Sequence, residues 1–179
     1  MKVVCGCTAN ICRSPMAEVM FRKMIEENGL EESVFCLSFG LAAKEGKRPP
    51  ENAVAVCREI GVDISGHKAR NLSSLKDLDI FDAFVVMTET QAYVLKQAGV
   101  PEDTLYLLGE AEIKDSYATE LEEFRQCRDP LCRPLQVLFH RPCWCMRKCV
   151  IKSSMSSWRT GTRPTRPSWT GEAFPIRCS

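Results

Sequence analysis

Apolar positions along the first 129 residues alternate between short continuous runs and stretches with helical spacing. The short runs predict strands at residues 3–5, 34–38, 81–87 and 104–108. Apolar residues three or four positions apart predict helices at residues 14–28, 52–60, 89–98 and from 119 onward. Strands that alternate with helices favour a small doubly wound α/β fold, in which helices cover both faces of a parallel four-stranded sheet.

The pattern changes after Asp129. Residues 1–129 contain 15 Lys and Arg against 22 Asp and Glu, whereas residues 130–179 contain 9 against 1. Pro130 and Pro134 lack the N–H group that a helix interior needs, so we expect the last helix to be interrupted there. We predict one domain at 1–129 and a basic, irregular, poorly ordered tail rich in Cys, Trp, Arg and Pro at 130–179. Such a change is typical of a shifted reading frame or of an accessory tail.

Composition limits the location and the partners. No apolar run reaches the ~20 residues that span a bilayer, and Met1 and Lys2 lead directly into the first strand, so we expect a cytoplasmic protein with no membrane partner. In a reducing compartment its eleven cysteines are thiols, each a core residue, a metal ligand or a nucleophile. The basic tail has no patterned spacing for nucleic acid, and we expect a monomer without nucleic-acid partners.

The loop after the first strand concentrates the residues that can do chemistry. It reads Cys7-Thr8-Ala9-Asn10-Ile11-Cys12-Arg13-Ser14 and opens directly into a helix. Backbone N–H groups at a helix N-terminus form a cradle for a phosphate, and the same field stabilises the thiolate of Cys7. Arg13 offers a planar fork for two phosphoryl oxygens, and Ser14, the predicted N-cap, offers a hydroxyl to the sulfur. We therefore predict that Cys7 is a nucleophile that attacks phosphorus.

Two other uses of this loop come from different classes of protein. Cys5, Cys7 and Cys12 could hold zinc, but they lack the spacing of a paired-cysteine knuckle, and we predict no metal site. A phosphate- or phosphopeptide-binding module without catalysis would need the same cradle, and this alternative stays open.

Residues 7–18 resemble the signature of the low-molecular-weight protein-tyrosine phosphatases, and further similarity lies at residues 38–40, 61–70 and 81–87. The resemblance implies hydrolysis through a phosphocysteine at Cys7, without metal or cofactor, of phosphotyrosine in proteins or of small aryl phosphates. It also implies that Asn10, Ser14, Ser38 and His67 hold the loop in shape by hydrogen bonds.

The resemblance further implies an aspartate that protonates the leaving oxygen, in a loop after the fourth strand. In the family the acid precedes the last helix. Asp129 follows the predicted last helix, whereas Asp115 precedes it, so we predict Asp115 as the acid and Tyr117 as a wall for an aromatic substrate. Three positions depart from the family, and one of them is Ser116, which replaces a proline in the loop of the acid. Ala9 replaces a glycine and is expected to be strained by a positive φ, and Gly6 replaces a β-branched residue.

Related families give alternatives for the reaction. Arsenate reductases of the thioredoxin-coupled type need redox cysteines near the middle of the chain, and none lies between Cys57 and Cys127. Protein-arginine phosphatases tend to have threonine at the position of Ile11, so Ile11 favours phosphotyrosine. Cys12 could also form a reversible disulfide with Cys7 that protects the nucleophile.

Overall fold

The computed structural model describes residues 1–108 and 120–140. Its strands are β1 (Lys2–Cys7), β2 (Phe35–Gly40), β3 (Ala83–Val86) and β4 (Leu105–Leu107). Its α-helices are α1 (Arg13–Glu27), α2 (Glu51–Glu59), α3 (Glu89–Gln97) and α4 (Leu121–Phe139). The predicted elements up to β4 are all present, with their ends shifted by at most about two residues. Within these two described ranges, no helix is both long and apolar enough to cross a membrane.

The four strands form one parallel sheet, as predicted, and their order in the sheet is β2-β1-β3-β4. In β1, Cys5 is paired with Ser38 on one side and with Val85 on the other. The chain leaves β1 toward β2 and leaves β3 toward β4, so the connections run in opposite directions from these two central strands. Loops that diverge in this way open a crevice beyond the carboxyl ends of the strands. The loop after β1 enters that crevice.

Side chains of β1 alternate between two hydrophobic cores. Val3 and Cys5 pack with residues of α1, α2 and α4, whereas Val4 packs in a smaller core on the side of α3. Gly6 lies opposite Phe39 in the β1–β2 register, and a Cβ atom on Gly6 would lie 2.6 Å from Cζ of Phe39. The fully buried Phe39 ring therefore fills the space that a β-branched residue at position 6 would occupy.

Helix α4 shows that the predicted interruption after Asp129 is wrong. The helix continues to Phe139 through Pro130 and Pro134. Each proline removes one hydrogen bond to the carbonyl four residues earlier. The carbonyls released in this way belong to Gln126 and Pro130, both exposed, so water can bind them.

The buried face of α4 explains why the helix persists. Its buried side chains recur every three or four residues and are Phe124, Cys127, Arg128, Leu131, Cys132, Leu135 and Leu138. This face packs on α1 and α2, and Phe139 meets the edge of Phe21 with ring centroids 5.3 Å apart. Several buried apolar side chains at about 1.5–3 kcal/mol each outweigh about 3 kcal/mol for each interior proline. The helix thus crosses the predicted domain boundary at 129, and residues 141–179 of the predicted tail lie outside the described residues.

An ion cluster fastens α4 to the end of α2. The buried guanidinium of Arg128 donates to the Val56 carbonyl and to Glu59 Oε2, each at 2.7 Å. Arg125 donates to both carboxylate oxygens of Glu59. Hydrogen bonds from Arg125 and then Arg128 lower the pKa of the Glu59 carboxyl to about 2.

Candidate active site

The predicted nucleophile loop begins and ends on regular structure. Cys7 is the last residue of β1 and Arg13 is the first residue of α1. The segment after β2 holds the start of the loop from outside: Leu41 N donates to the Cys7 carbonyl at 2.9 Å, and Ala42 N donates to the Thr8 carbonyl at 2.8 Å. The loop is therefore anchored at both ends and along its first two residues.

The N-terminus of α1 has the character of an anion site. Cys12, its N-cap residue, makes no capping hydrogen bond through its side chain, and the first turn contains no acidic residue. Arg13, which is 4% exposed, occupies the first helical position instead. By contrast, α3 is capped by Thr88 and has Glu89 in its first turn. A cation at the positive end of a helix is unfavourable by itself, so Arg13 is suited to a site that receives an anion.

The Cys7 sulfur contacts two groups of its own loop. Ser14 Oγ lies 2.9 Å from Sγ, and the backbone N–H of Asn10 donates to Sγ at 3.2 Å. Ser14 lies inside α1, so its prediction as the N-cap is wrong. Its hydroxyl has one proton and two possible acceptors, Cys7 Sγ and the Phe39 carbonyl at 3.2 Å. A thiolate is the stronger acceptor of the two, so ionised Cys7 takes the Ser14 hydrogen bond.

The loop turns at Asn10 and not at Ala9. Asn10 has φ of 54°, and it is the one non-glycine residue with positive φ among residues 1–108 and 120–140. The predicted strain at Ala9 is therefore wrong. Asparagine enters this region more readily than most residues because its short polar side chain can hydrogen-bond locally.

The fully buried side chain of Asn10 connects the loop to two other segments. Its Nδ2 donates to Ser14 Oγ at 2.9 Å and to Ser38 Oγ at 2.8 Å. Its Oδ1 accepts the backbone N–H of Arg70 at 2.7 Å. Nε2 of His67 lies 3.0 Å from the Asn10 carbonyl. The structure thus brings Asn10, Ser14, Ser38 and His67 together around one turn of backbone.

His67 is held as a neutral ring. Burial lowers its pKa, and the contact with the Asn10 carbonyl and the charge of Glu18 oppose this shift only in part. A neutral imidazole has one N–H, and only an N–H can donate to a carbonyl oxygen. The contact with Asn10 therefore assigns the proton of His67 to Nε2.

Gln91 supports the loop but was not among the predicted site residues. Its Oε1 accepts the Met87 N–H at 3.0 Å and its Nε2 donates to Thr8 Oγ1 at 3.3 Å. Gln91 is 4% exposed and bridges the crevice from the end of β3 to the loop. Its signal in the sequence was weak: a polar residue in the first turn of the helix that follows β3.

Glu18 is a second residue that supports the loop. It is the last residue of the signature at 7–18, but a supporting role for it was not predicted from the sequence. Its Oε2 accepts the Ser38 hydroxyl at 2.6 Å, and Arg22 lies 3.4 Å from its other oxygen. Because Ser38 gives its proton to Glu18, Ser38 Oγ is left to accept the Asn10 amide. A charged residue four positions after Ser14, on the buried face of α1, was the available signal.

The remaining predicted residues fall into two groups. Ile11 and Cys12 lie in the loop, each 5% exposed, and neither Cys7 nor Cys12 is in a disulfide. Asp115 and Tyr117 lie outside the described residues, so their roles stay predictions. Within residues 1–108 and 120–140, no three Cys, His, Asp or Glu side chains are grouped as metal ligands.

The loop after β1 lies where the connections of the parallel sheet diverge, with Cys7 and Arg13 at its two ends. These features are typical of α/β proteins that bind an anion such as phosphate at a helix N-terminus. Comparison with known families gives the particular one. The model of the family described as low molecular weight phosphotyrosine protein phosphatase matches residues 2–141. The chain belongs to this family, and the match includes the whole of helix α4.

Individual relatives agree with the family. The chain is 38% identical over 88 residues to the low molecular weight protein-tyrosine-phosphatase YfkJ of Bacillus subtilis, covering 49% of this chain and 56% of YfkJ. It is 32% identical over 132 residues to the probable low molecular weight protein-tyrosine-phosphatase EpsP of Ralstonia nicotianae, covering 71% of this chain and 86% of EpsP. A solved structure of the YwlE arginine phosphatase, a mutant with a phosphorylated active-site serine, is 26% identical with a TM-score of 0.69, covering 77% of this chain and 93% of that one.

Proposed function

We propose that the protein hydrolyses phosphotyrosine in proteins through a phosphocysteine intermediate at Cys7. The observation that carries this proposal is the position of Cys7 Sγ, which lies 2.9 Å from Ser14 Oγ in the first turn of α1 and 3.2 Å from the Asn10 nitrogen. A sulfur at this place shares its anion-stabilising environment with a bound phosphate.

The first chemical step forms the phosphocysteine. The Cys7 thiolate attacks phosphorus, a P–S bond forms and the P–O bond to the tyrosine oxygen breaks. The leaving oxygen takes a proton from Asp115, so a neutral phenol departs. Arg13 and the loop N–H groups stabilise the charge on the three remaining phosphoryl oxygens, and that charge persists through the transition state.

The second step releases phosphate. A water molecule attacks phosphorus while the Asp115 carboxylate accepts its proton, and the P–S bond breaks to regenerate the thiolate. The sulfur is now the leaving group. Ser14 stabilises it by donating the hydroxyl proton that otherwise turns toward the Phe39 carbonyl.

The substrate preference rests on two residues and on the names of the relatives. We propose that Tyr117 borders an aromatic substrate and that Ile11 favours phosphotyrosine over phosphoarginine. YfkJ and EpsP carry tyrosine-phosphatase names, whereas the YwlE structure is of an arginine phosphatase. Phosphoarginine is therefore the second candidate. Hydrolysis rates for matched phosphotyrosyl and phosphoarginyl peptides distinguish them, and the change Ile11→Thr is expected to shift the ratio toward phosphoarginine.

The reaction is tested with para-nitrophenyl phosphate and three forms of the chain. Wild type should release nitrophenol, Cys7→Ser should be inactive, and Asp115→Asn should lose kcat by roughly 10²–10⁴-fold. Acid quench and mass spectrometry of the wild type should find one phosphate on Cys7. If Cys7→Ser kept wild-type activity, the proposal would be wrong.

The same experiment also tests the module without catalysis. A chain that binds phosphate tightly, turns over no phosphate ester and traps no phosphocysteine would be a phosphate-binding module. Equal far-ultraviolet circular dichroism of all three forms is the control that the variants are folded.

A further inference from the structure

Exposed cations lie on the segments that contact the predicted nucleophile loop, and we name three of them, Lys44, Arg48 and Lys68, the basic rim. We propose that the basic rim selects phosphorylated segments that carry acidic residues next to the phosphorylated side chain. This inference rests on the proposed function, because the rim acts on a substrate whose phosphate is bound in the loop.

Lys44 is close to the loop because its segment is hydrogen-bonded to it. Ala42 N donates to the Thr8 carbonyl at 2.8 Å, directly after the bond from Leu41 N to the Cys7 carbonyl. Lys44 follows two residues later, so its Cα lies at most about 7.6 Å from that of Ala42. The charge of Lys44 is therefore carried by the chain segment that borders the nucleophile.

Lys68 reaches the same border from a different segment. It directly follows His67, whose Nε2 lies 3.0 Å from the Asn10 carbonyl. The two segments are joined to each other, since Gly46 N donates to the Ala69 carbonyl and Ala69 N donates to the Lys47 carbonyl, both at 2.8 Å. Arg48 comes next after this pairing. The three cations are thus held on one backbone framework around the loop.

The charge of this framework is strongly one-sided. In residues 41–50 and 65–71 the sequence has one acidic residue, Glu45. The Glu45 carboxylate accepts hydrogen bonds from the Ser74 hydroxyl and from Asn71 N, which lower its pKa, so it is ionised and turned toward the turn at Leu72–Ser74. Acidic groups on a substrate would therefore meet more positive than negative charge. Exposed ion pairs are individually weak, but several of one sign raise association rates and favour a complementary partner.

The test compares two tyrosine-phosphorylated peptides that differ only in the residues flanking the phosphotyrosine, Asp and Glu in one and Ala and Ser in the other. We expect wild type to favour the acidic peptide by roughly fivefold in kcat/KM at low salt, and this ratio to fall toward one at high salt, where screening is stronger. The variant Lys44→Glu/Lys68→Glu should lose or reverse the preference. The milder Lys44→Gln/Lys68→Gln should reduce it.

The matched control is Lys2→Glu/Lys96→Glu, which changes the net charge by the same amount. Lys2 begins β1 and Lys96 lies in the last turn of α3, so both are near the end of the sheet opposite the loop. The control should keep the wild-type preference. Equal loss in both variants would mean that only net charge matters and would overturn the basic rim, as would an unchanged preference in Lys44→Glu/Lys68→Glu.

Failure of the proposed function would look different. In that case wild type would hydrolyse neither peptide nor para-nitrophenyl phosphate. Calorimetric binding of the same two peptides to the same variants then decides the inference: equal affinity of wild type for both peptides would contradict it, and an affinity difference that Lys44→Glu/Lys68→Glu removes would support it.

Discussion

In the loop of residues 7–14, polar contacts hold successive turns of the backbone, whereas in helix α4 a stripe of apolar side chains holds a backbone that lacks two of its hydrogen bonds. The loop agrees with the conformational preferences of its residues: Asn10 takes the left-handed conformation, and both polar atoms of its side chain make hydrogen bonds. Helix α4 contains Pro130 and Pro134, which disfavour a helix interior, and it forms nevertheless. Short polar contacts thus determine the shape of one region, and extended burial determines the other.

A cavity made in α4 tests this difference most directly. Leu135→Ala should lower the free energy of unfolding by about 2–5 kcal/mol, because Leu135 is fully buried. Val137→Ala, whose side chain is 56% exposed on the same helix, should change it by less than about 0.5 kcal/mol. Urea unfolding measures both. Similar values for the two variants would show that burial does not hold α4.

The corresponding change in the loop is Asn10→Ala. It removes three side-chain hydrogen bonds and the residue type that tolerates φ of 54°. We expect kcat/KM for para-nitrophenyl phosphate to fall about a hundredfold, because small displacements of a catalytic loop have effects of this size. Asn28→Ala is the control: Asn28 bonds the Met24 carbonyl at the far end of α1 and should affect stability but not kcat/KM. A loss of activity below threefold for Asn10→Ala would contradict the role of this network.

Removing a proline should improve α4. Pro130→Ala restores the hydrogen bond to the Gln126 carbonyl and should raise the free energy of unfolding by about 2 kcal/mol, less than the full cost of an interior proline because proline also restricts the unfolded chain. Pro101→Ala changes a proline outside the α-helices and should give no such gain. Thermal unfolding separates the two. No gain in Pro130→Ala would mean that α4 is adapted to its prolines.

A smaller effect is expected where the loop meets α3. Thr8→Val and Gln91→Met each remove one side of the Thr8–Gln91 hydrogen bond, and the double variant completes a thermodynamic cycle. Coupling of about 1 kcal/mol in kcat/KM is expected for residues in contact. Additive effects would show that Gln91 serves only the Met87 N–H and does not position the loop.

The two regions should also differ in the pH at which each loses stability. His67 has a lowered pKa, so the unfolded chain binds its proton first, and stability from the loop side falls as pH drops below the ordinary value of 6.5. Glu59 also has a lowered pKa, so its contribution is present above 4.5 and is lost as pH falls toward about 2. We measure the unfolding free energy from pH 7 to 3. Its dependence on pH should become weaker near pH 6 in His67→Gln and below pH 4.5 in Glu59→Gln. The reverse assignment would contradict the packing described for these residues.

The sequence was informative about Cys7, Arg13 and Ser14 because they lie in one segment of eight residues, whereas the contacts of Asn10 with Ser38, His67 and Arg70 join distant segments. Cys7, Arg13 and Ser14 are placed by one strand end and one helix start, which apolar periodicity predicts well. The turn at Asn10 was missed because a positive φ was assigned by comparison with a family glycine, although asparagine next to it also tolerates that conformation.

Helix α4 was mispredicted for the opposite reason. The effect of the prolines can be judged from the local sequence. The apolar stripe from Phe124 to Leu138 stabilises the helix only by packing on α1 and α2, which are distant in sequence. Gln91 and Glu18 were missed in the same way. Each becomes a loop-supporting residue only after the chain has folded and brought Thr8 or Ser38 next to it.

The contact between Gly6 and Phe39 limits how this chain could change over time or in a design. A larger residue at position 6 would collide with the ring, and a smaller residue at position 39 would leave a hole, so each single step passes through a poorly packed intermediate. Gly40 adds to the restriction, because a Cβ there would lie 2.7 Å from the Thr8 carbonyl oxygen. Positions 6 and 39 would therefore have to be exchanged together, and a side chain at the neighbouring position 40 would require the Thr8 backbone to shift.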